Sequence, residues 1–496
     1  MVELFTKLGI PGPCPNFFVG NMMELMGKGK LVTEVMAEWE NQFGLVYGYF
    51  RGTRATLVVR DAELIKDILV RNSSEFINRP HMIMNVPPLP YTLVGLRSQR
   101  WKEVRNTLSP TFSSAKIKQM LPIMSNCVQT TLEILKEKSK SEVRSGEQAV
   151  DAHKLFQGLA CDVISACALA MKVNAQRDEN DRFFRAVRGF LENAMGPFVK
   201  IALCFPLLAT VMEWALKTFG YSHEMTKMIM ENVQTAMKIR RDNHSTSGSV
   251  PVDALQLMMD ATVQEHSTSP PSESTTGSAR SLALSDDEIV ANAWVFILGG
   301  FETTSASLSF TCYLLSIHQD IQERLFTELK ASFAADESPS YDQISELAFL
   351  DQVVCESLRL YPPVVSFVVR GMDKDCQIGP YHVPKNVGIQ IPIWQVHHDP
   401  EIWSEPYRFD PDRFEDNAKK SYGNNMQWIP FGTGPRNCIG ARFALLNLKF
   451  TLCSVLRKFK VVPASNHHSF KLKLKVPSVT IVPEEGIPLR FLPRIE

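Results

Sequence analysis

The segment from Phe431 to Gly440, FGTGPRNCIG, constrains this 496-residue chain more than any other. It sets one cysteine, Cys438, among glycines and directly before a helix-like run that begins ARFALLNLKF. Glycines let backbone N–H groups approach a sulfur closely, and a helix N-terminus adds the positive end of a dipole. Arg436 adds a cation two residues before the cysteine. These groups predict a lowered pKa for the Cys438 thiol, whereas an isolated cysteine in such a turn is more often simply buried.

Five positions of this segment are fixed in a recognisable pattern, F-x-x-G-x-R-x-C-x-G: Phe431, Gly434, Arg436, Cys438 and Gly440. The pattern resembles the haem-ligand loop of the cytochromes P-450. This resemblance implies that Cys438 is the axial thiolate ligand of the iron of haem b. It also implies that Phe431, Arg436 and Gly440 contribute to cofactor binding. A thiolate ligand favours cleavage of an O–O bond, which is why this chemistry uses sulfur.

A long apolar helix is predicted after Ser285–Glu288, because the string SDDE is a capping-box signature. Gly299 and Gly300 lie within it, and a glycine costs a helix about 1 kcal/mol. This cost indicates either close helix packing or a flat group lying against the backbone. The string GGFETT resembles the oxygen-activating motif of the family, which implies a proton relay through Glu302 and Thr303. The alternative for Thr303 is a hydrogen bond to the preceding helical turn.

Three further residues resemble ligands of the haem propionates. Trp101 and Arg105 are four residues apart and share one helix face. The stretch RWKEVRNTLSPTFSS resembles the W-x-x-x-R helix of the family, whose Trp and Arg hydrogen-bond a propionate. Arg370 follows Pro363 at the spacing of the family's propionate-binding arginine on a strand. Charge-assisted hydrogen bonds suit a buried carboxylate, but a half-buried Trp and surface arginines remain the plain alternatives.

Glu356 and Arg359 lie three residues apart in the predicted helix DQVVCESLRL. A surface ion pair is the common explanation of this spacing. The stretch ESLRLYPPV resembles the E-x-x-R element of the family, in which the pair is buried, and RFDPDRF supplies a third partner in Arg413. We therefore expect these three residues to support the haem loop rather than to act in catalysis.

Other segments carry weaker signals. The apolar, proline-rich stretch from His81 to Leu96 predicts a wall of the substrate pocket. The Ser- and Thr-rich stretch from Asn243 to Leu284 predicts a flexible connection that flanks a short helix. His397 and His398 are adjacent, and on a strand they would face opposite ways, so a shared metal is not expected. His397 resembles a polar residue near the haem edge.

The charge balance excludes one class of partner. The chain has 53 basic and 53 acidic side chains, which argues against a nucleic-acid partner. Its 10 cysteines form no C-x-x-C pairs, which favours a reducing compartment over a disulfide framework or a zinc site. No run of about 20 apolar residues is present to span a membrane.

The N-terminal segment KLGIPGP resembles the proline hinge that follows the membrane anchor of microsomal family members. We expect 1–21 to form this hinge, without the anchor itself, and 22–496 to form one haem-binding catalytic domain. Leu4, Phe5, Leu8 and Ile10 predict docking to a membrane, namely the cytosolic face of the endoplasmic reticulum.

The resemblance as a whole implies a mainly α fold with a small β-rich region, the triangular prism of the P-450 family. Segments such as FILGGFETTSASLSF are most similar to the clan of vertebrate drug-metabolising and insect detoxifying enzymes, which also holds thromboxane synthase. The activity implied is insertion of one oxygen atom of O2 into a lipophilic xenobiotic, steroid or fatty acid. Electrons would come from NADPH through a separate reductase, which Lys102 and Arg442 could dock electrostatically.

Two other functions stay open at this point. One is a haem-thiolate isomerase of organic endoperoxides, and the other is a haem-binding sensor or carrier without activity. Glu302 and Thr303 favour the oxygenase, because neither alternative needs a proton relay.

Overall fold

The computed structural model describes residues 3–26, 29–145, 149–169, 171–219, 221–243, 253–263, 284–334, 337–415, 418–464 and 472–494. Most of the predicted connection between Asn243 and Leu284 therefore lies outside the described residues. Its described part contains the expected short helix, at Ala254–Val263.

Helices dominate the described residues, as expected for the fold class. In chain order they are α1 Leu4–Lys7, α2 Met22–Leu25, α3 Val32–Phe43, α4 Ala62–Lys66, α5 Ser98–Leu108, α6 Ser114–Ser145, α7 Ala152–Leu169, α8 Arg182–Asn193, α9 Pro197–Cys204, α10 Ala209–Phe219, α11 Tyr221–Asn243, α12 Ala254–Val263, α13 Asp286–Ile317, α14 Gln319–Ser332, α15 Tyr341–Glu346, α16 Ala348–Leu360, α17 Ile393–His397, α18 Ala418–Asn424 and α19 Ala441–Lys458. A π-helical turn covers Asp67–Arg71, and 3-10 turns cover Leu89–Tyr91, Ser109–Phe112, Pro206–Leu208 and Pro411–Phe414.

The strands are short and form four small sheets in the described part of the chain. In chain order they are β1 Val46–Arg51, β2 Arg54–Val59, β3 Val150–Asp151, β4 Val369–Gly371, β5 Cys376–Ile378, β6 Tyr381–Val383, β7 Gly388–Gln390, β8 Phe459–Pro463, β9 Leu474–Lys475, β10 Val482–Pro483 and β11 Pro488–Pro493. The largest sheet has the order β1-β2-β7-β4, with β2 and β7 parallel and the other pairs antiparallel.

Helix α13 runs through the largest hydrophobic core. Its N-terminus has the predicted capping box, in which Ser285 Oγ accepts from the Glu288 N–H at 3.2 Å and Glu288 Oε2 accepts from the Ser285 N–H at 2.9 Å. The helix is apolar on every side, and almost all of its residues are buried, as is typical of a helix inside a core. It packs along α7 and also contacts α11, α16 and α19.

The N-terminal segment packs differently from the expectation. Phe5 and Ile10 are only 5% and 3% exposed and belong to the core beside the β1-β2-β7-β4 sheet. Leu4 and Leu8 are partly buried against the same core. Folding therefore buries Phe5 and Ile10, which are not available for the predicted membrane docking, and it leaves Leu4 and Leu8 only partly exposed.

A different set of apolar side chains is exposed, and we call it the apolar surface: Phe17, Phe18, Phe205, Leu207, Val211, Trp214 and Phe219. Leu207 is 99% exposed and Trp214 is 61% exposed. The two parts of this surface meet at the β1–β2 turn. There the Thr53 N–H donates to the carbonyl of Leu203 at 3.2 Å, and Gly20 pairs with Arg51.

No single helix among the described residues is long and apolar enough to cross a membrane. One bent pair, Arg182–Cys204 with Pro206–Phe219, meets the length and composition criteria together, with a bend of 117°.

Candidate active site

The loop before Cys438 is a tight turn whose shape depends on glycine. Gly432 and Gly434 have φ angles of 67° and 72°, in the left-handed region that suits glycine. A Cβ atom on Gly434 would lie 1.8 Å from the carbonyl oxygen of Leu69. The backbone N–H of Cys438 donates to the carbonyl of Phe431 at 2.9 Å. These constraints fix the position of the thiol just before α19.

The electrostatics of Cys438 differ from the expectation. The residue as a whole is exposed, but desolvation of the sulfur raises the pKa of the thiol. The Gly440 N–H and the Arg105 guanidinium act in the opposite direction without cancelling this effect. The neighbouring cation is thus Arg105, which donates to the Asn437 carbonyl at 3.0 Å and to its Oδ1 at 2.8 Å. By itself the thiol is protonated at neutral pH, and a metal ion would be needed to hold it as thiolate.

Arg436 joins the cysteine loop to the predicted pocket wall rather than to the thiol. Its guanidinium donates to the carbonyls of Ile77, Leu93 and Leu96 at 2.5, 3.1 and 2.7 Å. The same guanidinium lies 4.2 Å from the centre of the Trp101 ring. Trp101 itself is 3% exposed, so the plain alternative of a half-buried Trp on the protein surface is wrong.

Arginine side chains gather beside this loop with too few carboxylates to balance them. Burial lowers the pKa of both Arg79 and Arg436, in Arg436 to about 9. The charge of Arg370 lowers the pKa of both further. Arg97 and Arg105 also act on Arg436. Asp373 pairs with Arg97, and the remaining four guanidinium groups have no carboxylate partner in the described part of the chain. These four groups belong to Arg79, Arg105, Arg370 and Arg436. Together with Arg97, we call these residues the arginine cluster.

Arg79 is the least satisfied member of this arginine cluster. Burial holds its pKa well below the usual range, and its Nε and Nη1 atoms are buried without a hydrogen-bond partner among the described residues. The guanidinium stacks 3.9 Å from the centre of the Phe367 ring. Arg370 is also buried, at 4% exposed, and bonds only the carbonyl of Val369, at 2.9 Å. Since unpaired buried cations are costly, this region fits a group that carries negative charge.

The arginine cluster and the thiol therefore fit haem b, whose iron takes a thiolate and whose two propionates are anionic. Sequence reasoning identified Arg105, Arg370 and Arg436 but missed Arg79 and Arg97. The available signal was their position, because an arginine stands at each end of the apolar stretch from His81 to Leu96.

Helix α13 faces the cysteine loop across Phe112. The Phe112 ring contacts Phe296 edge-on, with centroids 5.1 Å apart, and its Cε1 is 3.8 Å from a Cβ built on Gly440. A Cβ on Gly299 would meet no atom within 4 Å, whereas one on Gly300 would lie 2.8 Å from Ile164 Cδ1. The two glycines thus have different roles: Gly300 allows close helix packing, and Gly299 opens the helix backbone to the space beside the loop.

Glu302 and Thr303 follow these glycines on α13. The Thr303 hydroxyl donates to the carbonyl of Gly299 at 2.6 Å, which is the back-bonding named as the alternative. Glu302 is 4% exposed, and its Oε2 has no hydrogen-bond partner among the described residues. Burial raises the pKa of Glu302 to about 7, and the nearby Glu192 raises it further while Lys475 lowers it. This carboxyl is able to gain or lose a proton near neutral pH.

Glu356, Arg359 and Arg413 come together as predicted. Glu356 and Arg359 are fully buried, with their paired N–O atoms 2.7 and 2.8 Å apart. Arg413 Nε lies 3.4 Å from Glu356 Oε1, and the Asp410 N–H donates to the same oxygen at 3.0 Å. The alternative of a surface ion pair is therefore excluded by the geometry.

His397 links this cluster to the cysteine loop. Contrary to the expected strand, it ends helix α17, and both His397 and His398 are buried. The Arg359 Nη1 donates to the carbonyl of His397 at 2.8 Å, and the His397 Nε2 accepts from the N–H of Ile429 at 3.0 Å. The described residues contain no group of three or more side chains suited to a metal ion.

The stretch from His81 to Leu96 is irregular, as predicted, apart from the turn Leu89–Tyr91. Asn292 fastens it to α13, because the Asn292 Oδ1 accepts from the Leu93 N–H at 2.9 Å and its Nδ2 donates to the Tyr91 carbonyl at 3.3 Å. The stretch therefore stands between α13 and the arginine cluster.

A cluster of arginines short of carboxylate partners, a cysteine before a helix and a long apolar helix beside both are the arrangement expected of a haem-thiolate protein. Comparison with known families agrees: the cytochrome P450 family model matches residues 10–487. The chain belongs to the cytochrome P450 family. It is accordingly an oxidoreductase of the haem-thiolate monooxygenase class.

Several curated relatives match over nearly their whole length. The chain is 32% identical to cytochrome P450 3A29 of Sus scrofa over 498 residues, which cover 99% of this chain and 92% of the relative. It is also 32% identical to human cytochrome P450 3A5 over 489 residues, with 98% and 92% coverage. Identity to human cytochrome P450 3A7 is 34% over 472 residues, with 93% and 87% coverage.

Proposed function

We propose that the chain is an NADPH-dependent monooxygenase that inserts one oxygen atom of O2 into a lipophilic substrate. The observation that carries this proposal is the grouping of Cys438, the arginine cluster and the open helix backbone at Gly299. Each of the three suits a different part of one flat, anionic, iron-bearing group.

The residues near the loop would together hold haem b. Cys438 would supply a thiolate to the iron, and Trp101, Arg105, Arg370 and Arg436 would bind the propionates, with Arg79 and Arg97 beside them. Phe431 and Gly440 frame the thiol. When bound, the haem supplies the reduction of dioxygen and the transfer of one oxygen atom to the substrate.

Thr303 and Glu302 on α13 supply the protons. The Thr303 hydroxyl is held 2.6 Å from the Gly299 carbonyl and can exchange that bond for one to a reactant beside the glycine. Glu302 has a pKa of about 7, so at neutral pH its carboxyl can take a proton and release it again. Delivery in a fixed order favours water as the product of O–O cleavage over release of hydrogen peroxide.

The partners follow from two surfaces. Lys102 and Arg442 are exposed on the helices that flank the cysteine loop, which suits docking of an acidic reductase face. The apolar surface suits the cytosolic face of the endoplasmic reticulum membrane, through peripheral contact. Glu356, Arg359 and Arg413 support the loop from below and take no part in the chemistry.

The test compares Cys438→Ser with wild type. A protein with thiolate ligation has a red-shifted Soret band in the ferrous CO complex, and the serine variant should lose it. Reductase-dependent NADPH oxidation coupled to a hydroxylated product should be seen in wild type only. Rapid turnover of an organic endoperoxide without any NADPH oxidation would instead support an isomerase, and binding without turnover would support a carrier.

The relay is tested with Thr303→Ala. This variant should keep haem and thiolate ligation but release mostly hydrogen peroxide, with product formation lowered about 10²–10⁴-fold. Ser307→Ala is the matched control, because the Ser307 hydroxyl makes the same type of bond one turn later, to the Thr303 carbonyl at 2.8 Å. An unchanged ratio of product to NADPH in Thr303→Ala would remove the relay role from this residue.

A further inference from the structure

A cavity lies between the N-terminal sheet, α9 and the β9–β10 hairpin. Its volume is about 530 Å³, within the range of ~300–1,000 Å³ that small-molecule sites occupy. We call it the β1–α9 cavity. Much of its wall is apolar, from Met22, Leu25, Met26, Leu31, Val32 and Met195.

The inner end of this cavity adjoins the candidate active site. Ser366 lines the cavity and is followed by Phe367, which stacks on Arg79. The next residue, Val368, has its Cγ2 3.8 Å from a Cβ built on Gly432 of the cysteine loop. The cavity and the site therefore share one short stretch of chain as a wall.

The charged residues that line the cavity are mostly basic. Four cations, Lys30, Arg51, Lys200 and Lys475, face two carboxylates, Glu192 and Glu484.

Two of these six groups are already committed to neighbours. Lys30 pairs with Glu38 at 2.5 Å, and Glu192 pairs with Arg188 at 3.0 Å. Arg51, Lys200 and Lys475 then remain, with Glu484 as the other carboxylate on the wall. Lys475 also lies close enough to the buried Glu302 to lower the pKa of that carboxyl. The three cations have no ion-pair partner in the described ranges, and they come from three separate elements, β1, α9 and β9.

Two of the uncharged polar groups on the wall are already hydrogen-bonded within the protein. The Tyr49 hydroxyl donates to the Gln390 Oε1 at 2.7 Å, and the Gln390 Nε2 lies 3.6 Å from the Met36 sulfur. The Ser478 Oγ, which also lines the cavity, is buried without a hydrogen-bond partner among the described residues, so the wall offers a ligand one hydroxyl as well as the three cations.

From this arrangement we propose that the β1–α9 cavity binds anionic amphiphiles, with a carboxylate held by Arg51, Lys200 and Lys475 and an alkyl chain along the methionine- and leucine-lined wall. This proposal deepens the proposed function and rests on it, since it names a long-chain carboxylic acid as the substrate class. Cations from three separate elements favour a negatively charged ligand, while the apolar wall tolerates chains of various lengths.

The experiment measures binding of dodecanoate and of dodecanol to the haem-loaded protein by isothermal titration calorimetry, below their micelle concentrations. Dodecanoate should bind about tenfold more tightly at low salt, and the difference should shrink in 0.5 M NaCl, because salt screens partly exposed charges. Arg51→Gln, Lys200→Gln and Lys475→Gln should each weaken dodecanoate binding roughly threefold to tenfold and leave dodecanol within about twofold.

Lys473→Gln is the matched control, because Lys473 is two residues from Lys475 but pairs with Glu485 at 2.9 Å and does not line the cavity. It should bind both ligands like wild type. Equal affinity for dodecanoate and dodecanol in wild type, or equal loss of both in Lys200→Gln, would overturn the proposal. Calorimetry needs no turnover, so a failure of the monooxygenase assay leaves this result intact and the two proposals fail separately.

Discussion

At the scale of single residues, the site is governed by what burial does to charge. Burial raises the pKa of the Cys438 thiol and of the Glu302 carboxyl, and it lowers the pKa of Arg79, Arg370 and Arg436. In every case burial works against the charged form. A bound charged ligand would therefore stabilise the charged forms of these residues again.

The first prediction concerns Arg79. Arg79→Leu removes a buried cation whose natural partner is an anionic group, so haem should be lost about 10–100-fold faster, as expected for one or two charge-assisted hydrogen bonds of ~1.5–3 kcal/mol. The measurement is the rate of haem transfer from the loaded protein to excess apomyoglobin.

Arg324→Leu is the control for this experiment. The Arg324 guanidinium also stacks 3.9 Å from a phenylalanine ring, that of Phe349, but it lies at the surface and pairs with Asp412 at 2.7 Å. Its haem loss should equal that of wild type. An equal rate in Arg79→Leu and Arg324→Leu would show that Arg79 does not contact the cofactor.

The second prediction concerns the pH dependence that Glu302 introduces. Its pKa is about 7 in the folded chain against an ordinary 4.5, so between these values the folded state binds a proton that the unfolded state lacks. Stability therefore falls as pH rises from 4.5 to 7. Glu302→Gln should match wild type near pH 4.5 and exceed its free energy of unfolding by at most about 3 kcal/mol at pH 8.

Thermal unfolding at the two pH values measures this difference. The exposed Glu346, at the end of α15, offers the control variant Glu346→Gln, which should follow wild type at both. A stability gain for Glu302→Gln that is the same at pH 4.5 and pH 8 would contradict the raised pKa.

Residues of the site could be predicted from the sequence only where they belong to a motif with fixed spacing. Cys438, Glu356 and Arg359 were found because each belongs to a short motif with fixed intervals. Arg79 was missed because its neighbours in the fold, such as Phe367 and Arg370, are almost 300 positions away in the chain. The direction of the shift in the thiol pKa was also predicted wrongly, because burial depends on packing that no local pattern specifies.

At the scale of secondary-structure elements, a chain of hydrogen bonds from α16 through α17 supports the cysteine loop. Helix α16 presents Glu356 and Arg359, the Arg359 guanidinium binds the carbonyls of His397 and Pro406 at 2.8 and 2.7 Å, and His397 binds the backbone just before the loop. Both contacts of His397 are buried, so a change at Arg359 is transmitted to the loop.

The third prediction follows from this arrangement. Glu356→Ala leaves Arg359 buried without its carboxylate, which should cost about 3–5 kcal/mol of folding free energy and greatly lower haem content. Glu323→Ala is the matched control, because Glu323 also lies between two cations, with Arg494 and Lys460 both at 3.0 Å, but is 43% exposed. Its cost should stay below about 1 kcal/mol.

Chemical denaturation and haem content together decide this prediction. Normal haem content in Glu356→Ala would contradict a supporting role for the cluster.

Elements with strong local signals were predicted well. Helix α13 was predicted from its capping box and apolar length, and α16 from its pattern and the prolines that follow Leu360. His397 and His398 were considered on a strand, yet His397 ends a single helical turn. Such short elements take their shape from tertiary contacts, here the bonds to Arg359 and Ile429.

At the scale of the whole molecule, the apolar surface and the β1–α9 cavity are connected through helix α9. Helix α9 contributes Lys200 to the cavity, and its Leu203 carbonyl contacts the β1–β2 turn. Helix α10, which follows, carries the exposed Trp214. A membrane bound at the apolar surface would therefore lie next to the cavity.

The fourth prediction tests membrane contact. Leu207→Ser and Trp214→Ser should each weaken partitioning to phosphatidylcholine vesicles about tenfold, since transfer of one large apolar side chain is worth ~1.5–3 kcal/mol. Tyr407→Ser is the control, because Tyr407 is 73% exposed but packs beside His398. Vesicle flotation gives the partition coefficients, and equal losses in all three variants would contradict a specific membrane face.

The arginine cluster has a consequence for how the protein accumulates in a cell. Until an anionic cofactor neutralises them, the cationic side chains beside the loop disfavour the compact state, so cofactor binding and completion of folding are linked. We expect the supply of haem to limit how much of the protein reaches the folded state. Chains made when haem is scarce would remain open to proteases, and the amount of folded protein would follow the rate of haem synthesis rather than that of translation.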